Sequence, residues 1–249
     1  MIATRESLNG HPVVSREQWN AARRALLARE KEVTHLYDQI CAARRDLPWV
    51  KMEQDYLFQG PEGEVSLSGL FEGRHQLVVY HFMYGPGWEE GCKSCSFLVD
   101  NIDSVNLHLA HHDVTLLAVS RAPFEEFQAF KKRMGWQFNW VSSHGTTFNF
   151  DFGVSFTRES RAAGNTTYNF EPYDGDYPEL PGISVFYKDE AGDVYHTYST
   201  YGRGGDILLA AHNWLDMTPL GRNEVEIMDW VRHHDRYESA SKAGCCGCG

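Results

Sequence analysis

The sequence has no apolar run near the roughly 18 residues that would span a membrane, and its first stretch, MIATRESLNGHPVV, holds no apolar core of a leader peptide. Basic side chains are scarce. Lys and Arg number 23 against 34 Asp and Glu, a net charge of −11, so a nucleic-acid backbone or an anionic membrane surface is repelled on average. These absences exclude nucleic acid and membrane as expected partners and imply a cytoplasmic protein. No internal repeat is present, and an evenly spread cysteine framework of the secreted kind is missing too. Of six cysteines, Cys41 stands alone, Cys92 and Cys95 form a Cys-x-x-Cys pair, and Cys245, Cys246 and Cys248 crowd the end. In a reducing compartment such a pair is either a reactive dithiol or half of a zinc site.

What is present is enough apolar residue, 42% of 249, for a sizeable core without staples. Ser15 to Asp46 reads as one long helix, opened by Ser15-x-x-Gln18 and ended at Leu47-Pro48, with Trp19, Ala22, Leu26, Val33, Leu36 or Tyr37, and Ile40 on one stripe. That stripe is expected to pack on the domain or on a second copy in a homodimer. The divisions expected are a helical extension over 1–59, a domain over 60–237 with an insertion at about 155–180, and a flexible Cys-rich tail over 238–249.

Within the domain the spacing predicts a short strand at Glu64 to Leu67, a buried strand at Gln76 to Phe82, one helix from Cys95 to Leu109 and a buried strand at Val114 to Ser120. A helix from Pro123 to Met134 follows, stopped by Gly135. Ser155 to Leu180 lacks periodicity. Ile183 to Tyr187 and Val194 to Tyr198 read as a hairpin, and Asp206 as the cap of a last helix with Ile207, Leu208, Ala211, Trp214 and Leu215 inward. A β-α-β-α run with such crossovers implies parallel strands covered on both faces.

Strand, Cys-x-x-Cys loop, helix, strand, helix, then Pro181 before an antiparallel hairpin and a last helix: this order resembles the thioredoxin fold, an α/β/α sandwich. The blocks LFEGRHQLVVYHFMYGPGW, GCKSCSF, LLAVSRAPFEEFQAFKKRMGW and PGISVFYKDEAGDVYHTYSTYGRG carry a closer likeness. They resemble a bacterial family of thioredoxin-like proteins catalogued as a domain of unknown function and distantly similar to alkyl hydroperoxide reductases, over about Pro12 to Tyr237. The resemblance implies a redox-type fold with the Cys pair at the active-site position, and a proline, Pro181, opposite it, where the backbone of Leu180 can pair with an incoming chain.

The residues depart from two relatives. The peroxiredoxin pattern of Pro seven and Thr or Ser three residues before the reactive Cys meets Gly85 and Glu89 here, and the Trp that precedes the first Cys in thioredoxin is replaced by Gly91, with Trp88 three places earlier. Dithiol-disulfide exchange fits the pair better than one-cysteine peroxide reduction. Cys92, at a helix start, faces unpaired N–H groups and the positive end of the dipole; Lys93 adds charge, and Glu89 and Glu90 oppose it.

The zinc pattern Cys92-x2-Cys95-x12-His108-x3-His112 has the spacing of a finger, with Val99 and Val105 at its small-core positions. One helix over 95–109 would separate His108 from Cys92 by about 24 Å at about 1.5 Å per residue, too far for a shared ion. No metal and no cofactor is expected. The reading is a thiol-disulfide oxidoreductase with Cys92 as nucleophile and Cys95 resolving, acting on a protein or small-molecule thiol or disulfide with a thiol electron donor. The alternatives are a thiol-dependent peroxide reductase and a non-catalytic scaffold or metal-binding adaptor. Lys93, Trp88, Arg121 and Pro181 are supporting candidates, Arg121 tying its strand end to Asp151 or Glu125. Cys245, Cys246 and Cys248 are candidates for a shuttle that exchanges electrons with the Cys92/Cys95 disulfide or for a soft-metal trap, against an unstructured end with incidental thiols. The aromatic blocks FNWVSSHGTTFNFDF and YHTYSTY either line a cleft near the pair or pack the sheet.

Overall fold

The capping box read in the sequence is formed: Ser15 Oγ accepts from the Gln18 N–H at 3.2 Å and Gln18 Oε1 accepts from the Ser15 N–H at 3.1 Å. In the computed structural model, which describes residues 7–8 and 10–237, this box opens helix α1 (Arg16–Arg45). A short pairing of β1 (Ser7–Leu8) with β2 (His11–Pro12) precedes it. The helix buries none of its residues, and Trp19, Leu26, Val33 and Ile40 stay exposed at seven-residue spacing. Contacts divide the chain into one unit over Met1–Pro48 and another over Trp49–Gly249. The extension therefore ends earlier than the expected residue 59, because residues from Val50 onward already pair into the sheet of the second unit. The tail over 238–249, with Cys245, Cys246 and Cys248, lies outside the described residues.

The second unit is built on β3 (Val50–Lys51), β4 (Leu57–Gly60), β5 (Gly63–Ser66), β6 (Gln76–His81), α2 (Lys93–Val99), α3 (Ile102–His111), β7 (Val114–Ser120), α4 (Gln128–Met134), β8 (Trp140–Ser142), α5 (Phe148–Asp151), α6 (Arg158–Ala162), β9 (Thr167–Tyr168), β10 (Glu171–Pro172), β11 (Gly182–Lys188), β12 (Val194–Tyr201) and α7 (Ala210–Leu215). Eight of these strands form one sheet in the order β3-β12-β11-β6-β7-β8-β4-β5. Strands β6, β7 and β8 run parallel, whereas β11 is antiparallel to β6 and β12 to β11. The inner order β12-β11-β6-β7, with a helical crossover between β6 and β7 and a hairpin returning beside β6, is the thioredoxin topology.

Strands β6 and β7 read as continuous apolar runs because both faces of the sheet are covered. On one face Tyr80, Phe82 and Ala118 pack against Cys95, Val99, Phe127 and Phe130. On the other, Leu77, Val79, Leu117 and Val119 pack against Phe58, Phe71, Phe148 and Phe152. Truncating one of these buried aromatics to Ala costs about 3 to 5 kcal/mol. The period-two alternation along β6 thus decides which side chains can reach the Cys pair: Tyr80 is on that face and His81 is not.

Three helical expectations are corrected. The single helix over Cys95 to Leu109 is two, α2 and α3, interrupted at Asp100 and Asn101. Pro123 to Met134 begins as a 3-10 turn over Phe124–Phe127 before α4, and Gly135 ends it in the left-handed region at φ 71°. The last helix is shorter than read: a 3-10 segment, Gly202–Leu208, precedes α7, and in this stretch Leu209 and His212 are buried while Ile207, Leu208 and Trp214 are exposed. The insertion carries α6 and the β9-β10 pair rather than pure loop.

Candidate active site

Strand β6 ends beneath a loop that brings Gly91 against the core, and this loop delivers Cys92 to the start of α2. A Cβ at Gly91 would meet Phe82 Cε1 at 2.5 Å and Phe130 Cε1 at 2.8 Å, so no larger residue fits directly before the first cysteine. The chain there is held from both sides: the Cys92 N–H donates to Met83 O at 3.2 Å, and His233 Nε2 donates to Gly91 O at 2.9 Å. His233 Nδ1 accepts from Arg133 at 2.9 Å. Glu90 is bound by Arg133 and, at 2.9 Å, by Arg236. These two guanidinium groups hold its carboxyl below the usual range, the Arg133 hydrogen bond first.

Cys92 is half-buried and Cys95 buried, both free thiols. The Cys92 thiol is pushed down to about 6 from an ordinary 9.0. The chief cause is the hydrogen bond it takes from the Cys95 side chain; burial opposes, and the N–H groups of Cys95 and Ser94 and the Ser94 hydroxyl add to the lowering. Lys93 is exposed, and its charge acts on Asp229. Burial pushes Cys95 well above its ordinary value, with the neighbouring Cys92 adding to that, while the Tyr80 hydroxyl and the Met83 N–H work in the opposite direction. One sulfur is thus set up to be a thiolate and the other a thiol.

Tyr80, 4% exposed, turns its hydroxyl to the Cys95 sulfur, and burial raises the phenol well above its ordinary value. Neither Tyr80 nor His233 stands out in the sequence. An aromatic on a buried strand reads as packing, and the alternation along QLVVYH that puts Tyr80 on the α2 face was the signal to use.

Cys92 and Cys95 line an apolar cavity of about 210 Å3 together with Pro181 and Tyr201. Pro181 is therefore brought beside the Cys pair, and the Leu180–Pro181 peptide is trans, as are all peptide bonds among the described residues. The insertion reaches this point: Tyr168 donates its hydroxyl to Pro181 O at 2.5 Å and accepts from the Gly202 N–H at 2.8 Å. Arg121 pairs with Glu179 at 2.6 Å, not with Asp151 or Glu125. Asp151 is engaged by Tyr56 and Thr147 instead. Glu179 is 2% exposed, also accepts from Ser155, and has its carboxyl raised by burial despite the guanidinium. This pair buttresses the turn before Pro181 and is one step removed from the sulfurs. Trp88 packs on the same core and covers Gly85, where a Cβ would meet its Nε1 at 3.0 Å.

The zinc pattern does not assemble. His108 and His111 sit in the last turn of α3 with His112 as its cap, and no group of three or more His, Cys, Asp or Glu among the described residues is placed to hold a metal ion. Of the two aromatic blocks, Trp140, Phe148 and Phe152 belong to the cores, whereas Tyr201 faces the cavity. No helix among the described residues is long and apolar enough to cross a membrane.

Residues 8–237 match the family described as bacterial protein of unknown function (DUF899). No curated protein matches the chain by sequence. Among solved structures, the peroxidoxin BcpB of Mycobacterium tuberculosis is similar at 14% identity, TM-score 0.42, over 63% of this chain and 90% of that one. A cysteine-to-serine mutant of Xanthomonas campestris peroxiredoxin Q gives 15% identity and TM-score 0.42 over 70% and 94%. A cysteine-to-serine mutant of Xylella fastidiosa PrxQ gives 11% and 0.39 over 64% and 88%.

Proposed function

The chain belongs to this DUF899 family, and on that premise we propose that it is a cytoplasmic thiol-disulfide oxidoreductase whose working groups are Cys92 and Cys95. The observation that carries the reading is the contrast between the two sulfurs that line one cavity: a half-buried thiol lowered to about 6, and a buried thiol hydrogen-bonded to it. A thiolate is the nucleophile in disulfide exchange, and a thiol held close is the group that resolves the product.

In this reading the Cys92 thiolate attacks one sulfur of a disulfide RS–SR, the S–S bond breaks, and one RS⁻ leaves. Cys95 then attacks Cys92 Sγ, its proton passes to the departing second RS⁻, and the Cys92–Cys95 disulfide remains. The substrate gains two electrons and the protein loses two. A dithiol donor returns them. The Tyr80 hydroxyl and the Met83 N–H face the sulfur that must carry negative charge in the second step.

Selective alkylation tests this. At neutral pH iodoacetamide labels Cys92 well before Cys95. Equal, slow labelling of both, or labelling only after unfolding, removes the catalytic dithiol and leaves a scaffold. One zinc per chain, lost in Cys92→Ser, would likewise replace the redox reading by a metal-binding one.

A further inference from the structure

Backbone pairing beside Pro181 is the route by which a protein substrate would dock at this kind of fold, adding its extended chain to an open edge. That edge is occupied. The Leu180 N–H donates to Val154 O at 2.8 Å, and Pro181 O accepts from the Tyr168 hydroxyl at 2.5 Å. Tyr168 is itself fixed by the Gly202 N–H at 2.8 Å. Both partners come from the chain's own insertion or the segment just before it, so an incoming peptide would have to displace hydrogen bonds already made.

The space beside the sulfurs is of another kind. The cavity is about 210 Å3, below the roughly 300 to 1,000 Å3 of clefts for drug-sized ligands. Its walls include Met83, Leu98, Ile183, Leu209, Ile227 and Met228. The last two belong to the C-terminal segment, which is tied down over the Cys92 loop by His233 on Gly91 and Arg236 on Glu90. Gly205 widens it: a Cβ there would lie 3.6 Å from Ile183 and 3.9 Å from Leu98, ordinary contact distances, so a methyl group is accommodated there, and a larger side chain would project further into the space.

Building on the dithiol reading, we infer that the substrate is a small disulfide with an apolar substituent seated in this cavity, and not a disulfide of a folded or extended protein chain. The substituent replaces water along the apolar wall while one of its sulfurs meets Cys92. RS–SR is reduced to two RSH, and the Cys92–Cys95 dithiol is oxidised to the disulfide.

The test is a single-turnover oxidation of the reduced full-length protein, acid-quenched and read by mass spectrometry as Cys92–Cys95 disulfide. The oxidants are diethyl, dipropyl, dibutyl and bis(2-hydroxyethyl) disulfide, and insulin. The second-order rate constant rises about fourfold per methylene until the cavity is full, bis(2-hydroxyethyl) disulfide falls below dipropyl disulfide, and insulin is slowest. Gly205→Val flattens the dependence on chain length. Ile227→Asp, at a position three-quarters exposed, lowers the dibutyl rate about tenfold. Insulin reacting as fast as dibutyl disulfide, or rates independent of chain length, overturns the substrate class while leaving the dithiol reading intact. No oxidation by any of the five, or Cys92→Ser consuming them as the wild type does, removes the dithiol reading and this inference with it.

Discussion

Replacing Cys95 by Ala removes the largest contribution to the acidity of Cys92, the hydrogen bond from its side chain, and leaves the N–H groups of Cys95 and Ser94 where they are. The lowering from 9.0 to about 6 corresponds to about 4 kcal/mol in favour of the thiolate at about 1.36 kcal/mol per unit. A hydrogen bond to a charged group contributes about 1.5 to 3 kcal/mol of that. The Cys95→Ala midpoint therefore moves up by about one to two units. Cys95→Ser, which keeps an O–H donor at the same place, stays nearer the wild type. The assay is the rate of iodoacetamide alkylation of Cys92 against pH. At neutral pH about nine-tenths of the wild-type sulfur is thiolate, and half or less in the Ala variant. A wild-type midpoint near 8.5, or identical profiles for the Ala and Ser variants, would refute the reasoning. The same shift has a stability signature. A depressed folded-state value adds stability as pH rises from about 6 toward the unfolded value, so the reduced protein gains about 2 kcal/mol between pH 6 and 8 that Cys92→Ala lacks, and loses it as pH falls through 6.

Tyr80→Phe keeps the ring but removes the donor facing Cys95, so mixed disulfides at Cys92 resolve about 10- to 100-fold more slowly while their formation is unchanged; equal slowing of both steps would point to damage in packing. Arg121→Ala leaves the Glu179 carboxylate buried without its guanidinium and costs about 3 to 5 kcal/mol in a urea melt; a loss under about 1 kcal/mol would mean the pair is screened. The described chain ends at Tyr237, one residue past the Arg236–Glu90 contact beside the Cys92 loop, and Cys245 follows eight residues later, a span of up to about 29 Å. If the terminal cysteines exchange electrons with the dithiol, oxidised Cys95→Ser accumulates a disulfide between Cys92 and Cys245, Cys246 or Cys248; no such peptide, with unchanged turnover after deletion of 244–249, leaves the tail without a redox role. A homodimer formed through the exposed α1 stripe separates on gel filtration when Leu26 and Val33 are changed to Asp; identical elution of variant and wild type would exclude it.

The parts legible in the sequence were those that local periodicity and order determine. The capping box at Ser15, the apolar runs of β6 and β7, and the Cys pair between them were enough to indicate the topology. Short strands such as β4 and β8, with four and three residues, are too short for a periodicity to stand out, and they are held by pairing and by the burial of Phe58, Trp140 and Val141 in the two cores. The break between α2 and α3 has a tertiary cause: Asp100 accepts from Trp136 Nε1 at 2.8 Å and contacts His234 at 2.6 Å, partners far along the chain. The site divides in the same way. Cys92, Cys95 and Pro181 lie where the order of elements puts them. The Tyr80, Tyr168 and His233 contacts depend on long-range packing, and the Glu179 partner of Arg121 lies 58 residues away.

The central claim, that Cys92 attacks and Cys95 resolves, is tested most directly by stopped-flow reaction of the reduced protein with Ellman's reagent in a background lacking Cys41 and residues 244–249. The account predicts two successive releases of one thionitrobenzoate each. Cys92→Ser abolishes both, and Cys95→Ser keeps the first and loses the second. Release of nothing until the chain is unfolded, or a Cys92→Ser variant that still reacts in two phases, would contradict it.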